Sequence, residues 1–291
     1  MRIPSTAEGR LENMAQTVWS LEEQNREKPL PYGERLNLLR IHYEIQRLRE
    51  EQLEIPKRDR SFLYLHEGSK DQVLLVHGGH STPAQYIQLG KALYRAGMTV
   101  YGTLLPSEES VGSQRGEVPW QLSRDELELR FDLLSHLSGR IHVLGSSFGA
   151  ILATNLALDR PVASLALLSP PLKPHLRFVE RMALAWGRLS PRLFERLVAQ
   201  SPHRWMADRY GAVREARRRL GELDCPILAI HAQNNMELNA SGLKVVSKGS
   251  RHPDTKTLLL EEGGHRLLRG PAAPRVEKEI LEFLQKARKT G

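Results

Sequence analysis

Seven short runs of aliphatic and β-branched residues, each bounded by turn formers, punctuate the chain at 61–67, 72–78, 99–105, 140–146, 164–170, 226–232 and 255–262. Such runs read as strands. The central ones are apolar without alternation, as strands covered on both faces are. Between them lie segments of helical length at 84–96, 122–137, 148–158 and 275–287. A strand that returns parallel to its predecessor needs a crossover of that length. The alternation therefore predicts an α/β fold, a mostly parallel sheet with helices on both faces. One such domain with insertions accounts for 291 residues.

Two stretches interrupt the alternation. In residues 1–57 a polar start precedes Leu38, Ile41, Ile45 and Leu48 at helical spacing, which predicts an amphipathic helix in an N-terminal extension. The repeat spans too few heptads for a coiled coil, so the helix is expected to pack on the main domain, 58–291. Residues 171–224 fall between two strands and are too long for a simple connection. There Leu176, Val179, Met182, Ala183, Trp186 and Leu189 share one helical face, and Leu193, Phe194, Leu197 and Val198 suggest a second helix. The segment reads as a helical cap.

Between Lys173 and Leu220 stand twelve Lys or Arg against four Asp or Glu, a surplus equal to the +8 of the whole chain. A local surplus of this kind attracts anions, so weak contact with an anionic membrane through the basic cap is one expectation, and a solvated helix face is the other. No nucleic-acid motif accompanies the charge, and aromatic residues are few at 6%. Nucleic acid is not an expected partner. The lone Cys225 forms no internal disulfide, and neither a signal-peptide-like start nor an 18-residue apolar run is present. A cytoplasmic location is the expectation.

Directly after the run at 140–146 stands Gly145-Ser146-Ser147-Phe148-Gly149, leading into a helical segment. This is G-x-S-x-G between strand and helix. A serine there sits on a sharp turn that projects its oxygen from the sheet, which requires minimal side chains two residues before and after. Ser147 is the candidate nucleophile. The run at 72–78 ends in His77-Gly78-Gly79-His80-Ser81. Gly79 and Phe148 are then the candidates for the two backbone N–H groups of an oxyanion hole. His77 is expected to brace the loop. His80 either touches substrate or is an ordinary surface histidine.

After the last run comes Gly263-Gly264-His265. The chain order serine, acid, histidine requires a late histidine beyond the last strand, and His265 meets it as general base. The acid belongs after 226–232, where the chain reads Gln233-Asn234-Asn235-Met236-Glu237 without an aspartate. Three readings stay open: Asn235 as a neutral orienter at the expected acid position, Glu237 bending back, or a more distant carboxylate or none.

With strand-HGG, GSSFG-helix, IHAQNN and GGH in this order, the chain resembles the α/β-hydrolase superfamily, particularly small bacterial carboxylesterases and monoacylglycerol lipases, over about Phe62 to Ala287. The resemblance implies an eight-stranded fold with a helical cap after the sixth strand, a covalent acyl-enzyme, and no metal or organic cofactor. A small-molecule ester is then the expected substrate, and the apolar faces of the cap, carrying Phe178, Trp186 and Phe194, either shape an acyl pocket or are plain packing. Those esterases carry aspartate where this chain has Asn235. The alternative expectation is therefore a degenerate hydrolase with a binding or regulatory role.

Overall fold

The computed structural model describes residues 7–79, 81–106, 119–173 and 204–290. Seven strands form one sheet: β1 (Phe62–Tyr64), β2 (Asp71–Val76), β3 (Thr99–Thr103), β4 (Arg140–Ser146), β5 (Ser164–Leu168), β6 (Ile227–Ala232) and β7 (Lys256–Leu260). Each falls within or overlaps one of the seven apolar runs. Their order is β1-β3-β2-β4-β5-β6-β7, with β1 antiparallel to β3 and every other pair parallel. Among the described residues the sheet is thus one strand short of the eight that the resemblance implies.

Side chains alternate between the faces of a strand, and here each face has its own core. Leu74, Val76, Val143, Leu165, Leu167, Ile227 and Ala229 point one way. They meet α4 (Trp120–Ser135), α5 (Phe148–Asp159), α6 (Arg204–Arg219) and α7 (Ser241–Gly249). Val73, Leu75, Leu144, Ala166, Leu168, Leu228 and Ile230 point the other way, toward α3 (Ile87–Arg95) and α8 (Ala273–Thr290). On α8, Val276, Ile280 and Leu284 recur every four residues and are buried, so a single stripe docks the helix. α5 is buried from Phe148 to Leu156, because α6 covers the side that the sheet leaves open. There Asn155 Nδ2 donates to the Ala212 carbonyl at 3.2 Å.

The N-terminal extension holds two helices, α1 (Ala7–Glu27) and α2 (Tyr32–Gln52). The face that α2 buries differs from the expected one. Leu36, Leu38, Leu39 and Glu50 are buried, whereas Ile41, Ile45 and Leu48 are only partly covered. The reason is polar anchoring: Glu50 accepts from Ser61 N at 2.8 Å and Ser61 Oγ at 2.5 Å, and Arg130 bridges Glu126 and Gln46 at 2.6 and 2.8 Å. A rotation that buried the isoleucines more deeply would break these bonds. α6 lies inside the insertion between β5 and β6. The two helices expected near Leu176–Val198 lie outside the described residues.

Candidate active site

Parallel strands bring their carboxyl ends to one edge, and in doubly covered sheets ligands bind there. Register aligns the ends: Val76 pairs with Gly145, Ser146 with Leu168, Leu168 with Ile230, and Ala232 with Leu260. The loops carrying Gly79, Ser147, Ser169, Asn235 and His265 all leave from this edge.

Ser147 separates β4 from α5 with φ 53° and ψ −125°, a left-handed backbone that a residue with a side chain rarely adopts. Its N–H donates to the Leu168 carbonyl at 2.8 Å, and its own carbonyl accepts from Ala150 N at 2.9 Å. Those bonds hold the strained turn. The flanking glycines are steric necessities: a Cβ on Gly145 would lie 2.2 Å from the Gly149 carbonyl oxygen, and one on Gly149 would lie 2.3 Å from the Val76 carbonyl oxygen. This spacing packs the start of α5 against the ends of β2 and β4.

The loop after β2 is braced by His77. Its Nδ1 donates to the Gly78 carbonyl at 2.7 Å, and its Nε2 accepts the Leu105 N–H at 2.9 Å. Burial pushes its pKa down to about 4, against the opposing effect of the Gly78 carbonyl, so the ring is neutral and can both donate and accept. Gly78 faces the serine, since a Cβ there would lie 2.8 Å from Ser147 Cβ. Gly79 follows directly, and His80 lies outside the described residues.

Gly263 and Gly264 take φ 147° and 60°, which turns the chain after β7 and presents His265. Its carbonyl accepts from Ser169 Oγ at 3.3 Å, and Asn235 Nδ2 reaches the same Ser169 Oγ at 3.5 Å. The ends of β5, β6 and β7 are thereby joined. Asn235 Nδ2 also stands 3.3 Å from His265 Nδ1. Which end of the amide faces the ring is decided by the loop, because Asn235 Oδ1 accepts the backbone N–H groups of Glu237 and Leu238, both at 3.0 Å. A flipped amide would set its NH₂ against two donors. The imidazole Nδ1 therefore accepts, and the ring proton resides on Nε2. Glu237 Oε2 lies 3.6 Å from that Nε2, which suits the same tautomer, and the Glu237 side chain is 65% exposed. Glu237 thus meets the ring at the nitrogen opposite to the one a triad acid contacts. Burial holds the His265 pKa below its ordinary value, outweighing Glu237, while His231 and Arg266 push in the same direction as burial.

Arg209 of α6, which nothing in its sequence neighbourhood singled out beyond the basic surplus, reaches the same edge. Its guanidinium carbon lies 4.7 Å from the Phe148 ring centroid, and its Nη1 lies 2.9 Å from where a Cβ on Gly79 would stand. Phe178 and Trp186 lie outside the described residues. Among the described residues no cluster of three His, Cys, Asp or Glu could hold a metal, and no helix is long and apolar enough to cross a membrane.

A parallel sheet covered on both faces, with a strained serine between strand and helix and a histidine after the last strand, has the architecture of a hydrolase. The chain belongs to the alpha/beta hydrolase family, whose model matches residues 73–274. Its fold is similar to that of the lipolytic enzymes described as LipS and LipT, two metagenome-derived enzymes, with TM-score 0.65, 17% identity, and coverage of 79% of this chain and 98% of that one. It is also similar to a monoacylglycerol lipase of Paleococcus ferrophilus, with TM-score 0.60, 17% identity, and coverage of 78% and 98%. A third similar structure is MenH from S. aureus, with TM-score 0.56, 18% identity, and coverage of 79% and 99%. Identities this low speak for the fold alone. No curated protein matches the chain in sequence.

Proposed function

We propose that the chain is a serine hydrolase of carboxylic esters, acting on short to medium acyl esters or monoacylglycerol-like substrates through an acyl-enzyme. The observation that carries this reading is the strained backbone of Ser147 between β4 and α5, which two backbone hydrogen bonds and the close-packed Gly145 and Gly149 maintain. In the reaction the imidazole takes the tautomer with its proton on Nδ1, which requires the Asn235 NH₂ to withdraw from that nitrogen, and Ser147 Oγ attacks the carbonyl carbon and gives its proton to the freed His265 Nε2. The N–H groups of Gly79 and Phe148 hold the oxyanion, the latter at a helix N-terminus whose dipole favours negative charge. Collapse expels the alcohol, which takes the proton from His265. Water then attacks the acyl-enzyme with the same base, releasing the acid and restoring Ser147.

The insertion at 171–224 would act as the cap over this edge, with Phe178 and Trp186 lining the acyl pocket and His80 contacting substrate. Its basic surface would make weak contact with an anionic membrane. Hydrolysis of p-nitrophenyl acetate, butyrate and octanoate, together with fluorophosphonate labelling, tests the reading: wild type turns over and labels on Ser147, and Ser147→Ala does neither. Turnover that survives Ser147→Ala would overturn it.

A second reading is a binding or regulatory protein on a degenerate hydrolase fold, and the Asn235 amide favours it. A base must offer its Nε2 lone pair to the serine, whereas this amide and Glu237 favour a proton on that nitrogen. Slow or absent fluorophosphonate labelling of an intact wild type would select this second reading.

A further inference from the structure

The N-terminal extension carries a surface that the proposed reaction leaves unused, and we infer that it is a two-fold interface between two copies of this chain. α1 runs for 21 residues, yet among its described side chains only Val18 is buried. A helix of that length is marginal in water by itself and takes most of its stability from packing an apolar face. Rather than closing on α2 and α4, α1 leaves a groove of about 580 Å³ between its own Val18 and Trp19, Ile45 of α2 and Leu129 of α4. Trp19 is 69% exposed, and Leu129 and Leu122, two turns apart on one face of α4, are exposed as well. Apolar side chains scattered over a surface are ordinary, but large ones gathered around a groove mark an interaction site.

The charges around the groove identify the occupant. His42 Nε2 is matched with Glu22 at 3.1 Å, and Arg130 with Glu126 and Gln46. Glu12 and Arg49 line the same groove, are exposed, and have no ion pair or side-chain hydrogen bond among the described residues. A partner surface of one sign would satisfy one of them and repel the other. A second copy related by a two-fold axis satisfies both, because every contact of such an interface occurs twice with the roles exchanged: Glu12 of each copy meets Arg49 of the other. The same operation seats the Trp19 of each copy in the groove of the other. A protruding ring beside a groove on one face is a shape complementary to itself, and the face of α1 left open is then covered. An indole buries about 150–250 Å² and anchors of this kind dominate interface energies, whereas ion pairs at the rim mainly fix the register.

Sedimentation equilibrium of the full chain tests the interface without reference to any turnover. Wild type is expected at twice the 33.0 kDa of one chain. Trp19→Ala, a change at an exposed position that leaves the core intact, should raise the dissociation constant about thirtyfold or more, and Trp19→Phe should keep part of the affinity. Glu12→Lys and Arg49→Glu supply a second arm that does not depend on the ring. Each variant sets like charges together twice when it pairs with itself, and a mixture of the two restores both opposite-charge contacts. The mixed pair should therefore bind more tightly than either variant binds itself, which also shows that both are folded. A wild type that stays monomeric, or a dimer that Trp19→Ala leaves at full strength, would overturn the inference. A mixed pair no tighter than the two self-pairs would remove the two-fold arrangement of Glu12 and Arg49 and the inference with it.

Discussion

His142 at the edge where the strands begin and His265 at the edge where they end make a direct comparison, because each has a serine and a polar partner nearby. His142 Nδ1 meets Ser164 Oγ at 2.8 Å, and its Nε2 lies 3.3 Å from Asp71 Oδ1. This is a serine, histidine and aspartate in one hydrogen-bonded row. Yet all three are buried, and Ser164 is an ordinary strand residue without the positive φ of Ser147. Arg140 and Arg288 close the row by reaching the two oxygens of Asp71 at 2.9 and 2.7 Å. Burial by itself would raise the Asp71 pKa, but His142, Arg140 and Arg288 outweigh it and hold the carboxyl at about 2. At the other edge, the strained serine and the loop histidine are present, and the histidine faces an amide. The difference teaches that a triad-like row of hydrogen bonds is a device for holding charge inside a fold. What distinguishes a candidate reaction centre is the strained turn and the open strand ends.

The sharpest way to break this comparison is to give His265 the partner that His142 has. In Asn235→Asp one carboxylate oxygen keeps the Glu237 and Leu238 N–H groups and the other accepts from His265 Nδ1–H, which frees the Nε2 lone pair. The reverse change in a serine protease lowers turnover about 10⁴-fold, so p-nitrophenyl butyrate hydrolysis is expected to rise by roughly 10² to 10⁴-fold. An unchanged rate would show that the tautomer does not limit this site. Removing the carboxylate from the other edge should have a different consequence. Asp71→Asn is expected to lower urea-unfolding stability by about 2–4 kcal/mol, since Arg140 and Arg288 are each about one-third exposed and lose only part of their compensation. Its rate per folded molecule should stay unchanged, and a selective loss of rate would contradict the structural role.

Two smaller effects sharpen the contrast through pH. The Asp71 pKa is depressed from 3.8 to about 2, so its contribution is present above the unfolded value and is lost as pH falls through the folded one. On the order of 2 kcal/mol should disappear between pH 4 and 2 in wild type and not in Asp71→Asn. At the site, burial lowers the His265 pKa beneath 6.5, so the base form persists further into acid. The acid limb of kcat/KM should have its midpoint below 6.5, and Asn235→Asp should move it upward, because a carboxylate favours the charged ring. A limb that does not move would mean that residue 235 does not touch the titrating group.

Periodicity and turn chemistry are local, and they made much of this molecule legible before any coordinates. Apolar runs of strand length with helix-length spacers place all seven strands and the helices α3, α4, α5 and α8, because a strand buried on both faces has no other composition available. Gly145, Ser147 and Gly149 announce the turn for an equally local reason, since no Cβ fits at the two glycines. The helix α6 is less legible: among its described side chains only Ala212, Val213 and Ala216 are buried, amid six arginines from Arg204 to Arg219. Only the tertiary structure decides that Glu50 and Gln46 set the rotation of α2, that Asp71 gathers His142, Arg140 and Arg288, and that the Asn235 amide turns its NH₂ toward His265. It also decides that Arg209, 130 residues from Gly79 in sequence, comes to lie against it. These outcomes depend on which loops and helices meet in space. The orientation of an amide or the seat of a guanidinium follows from partners that share no period and no neighbourhood in the chain.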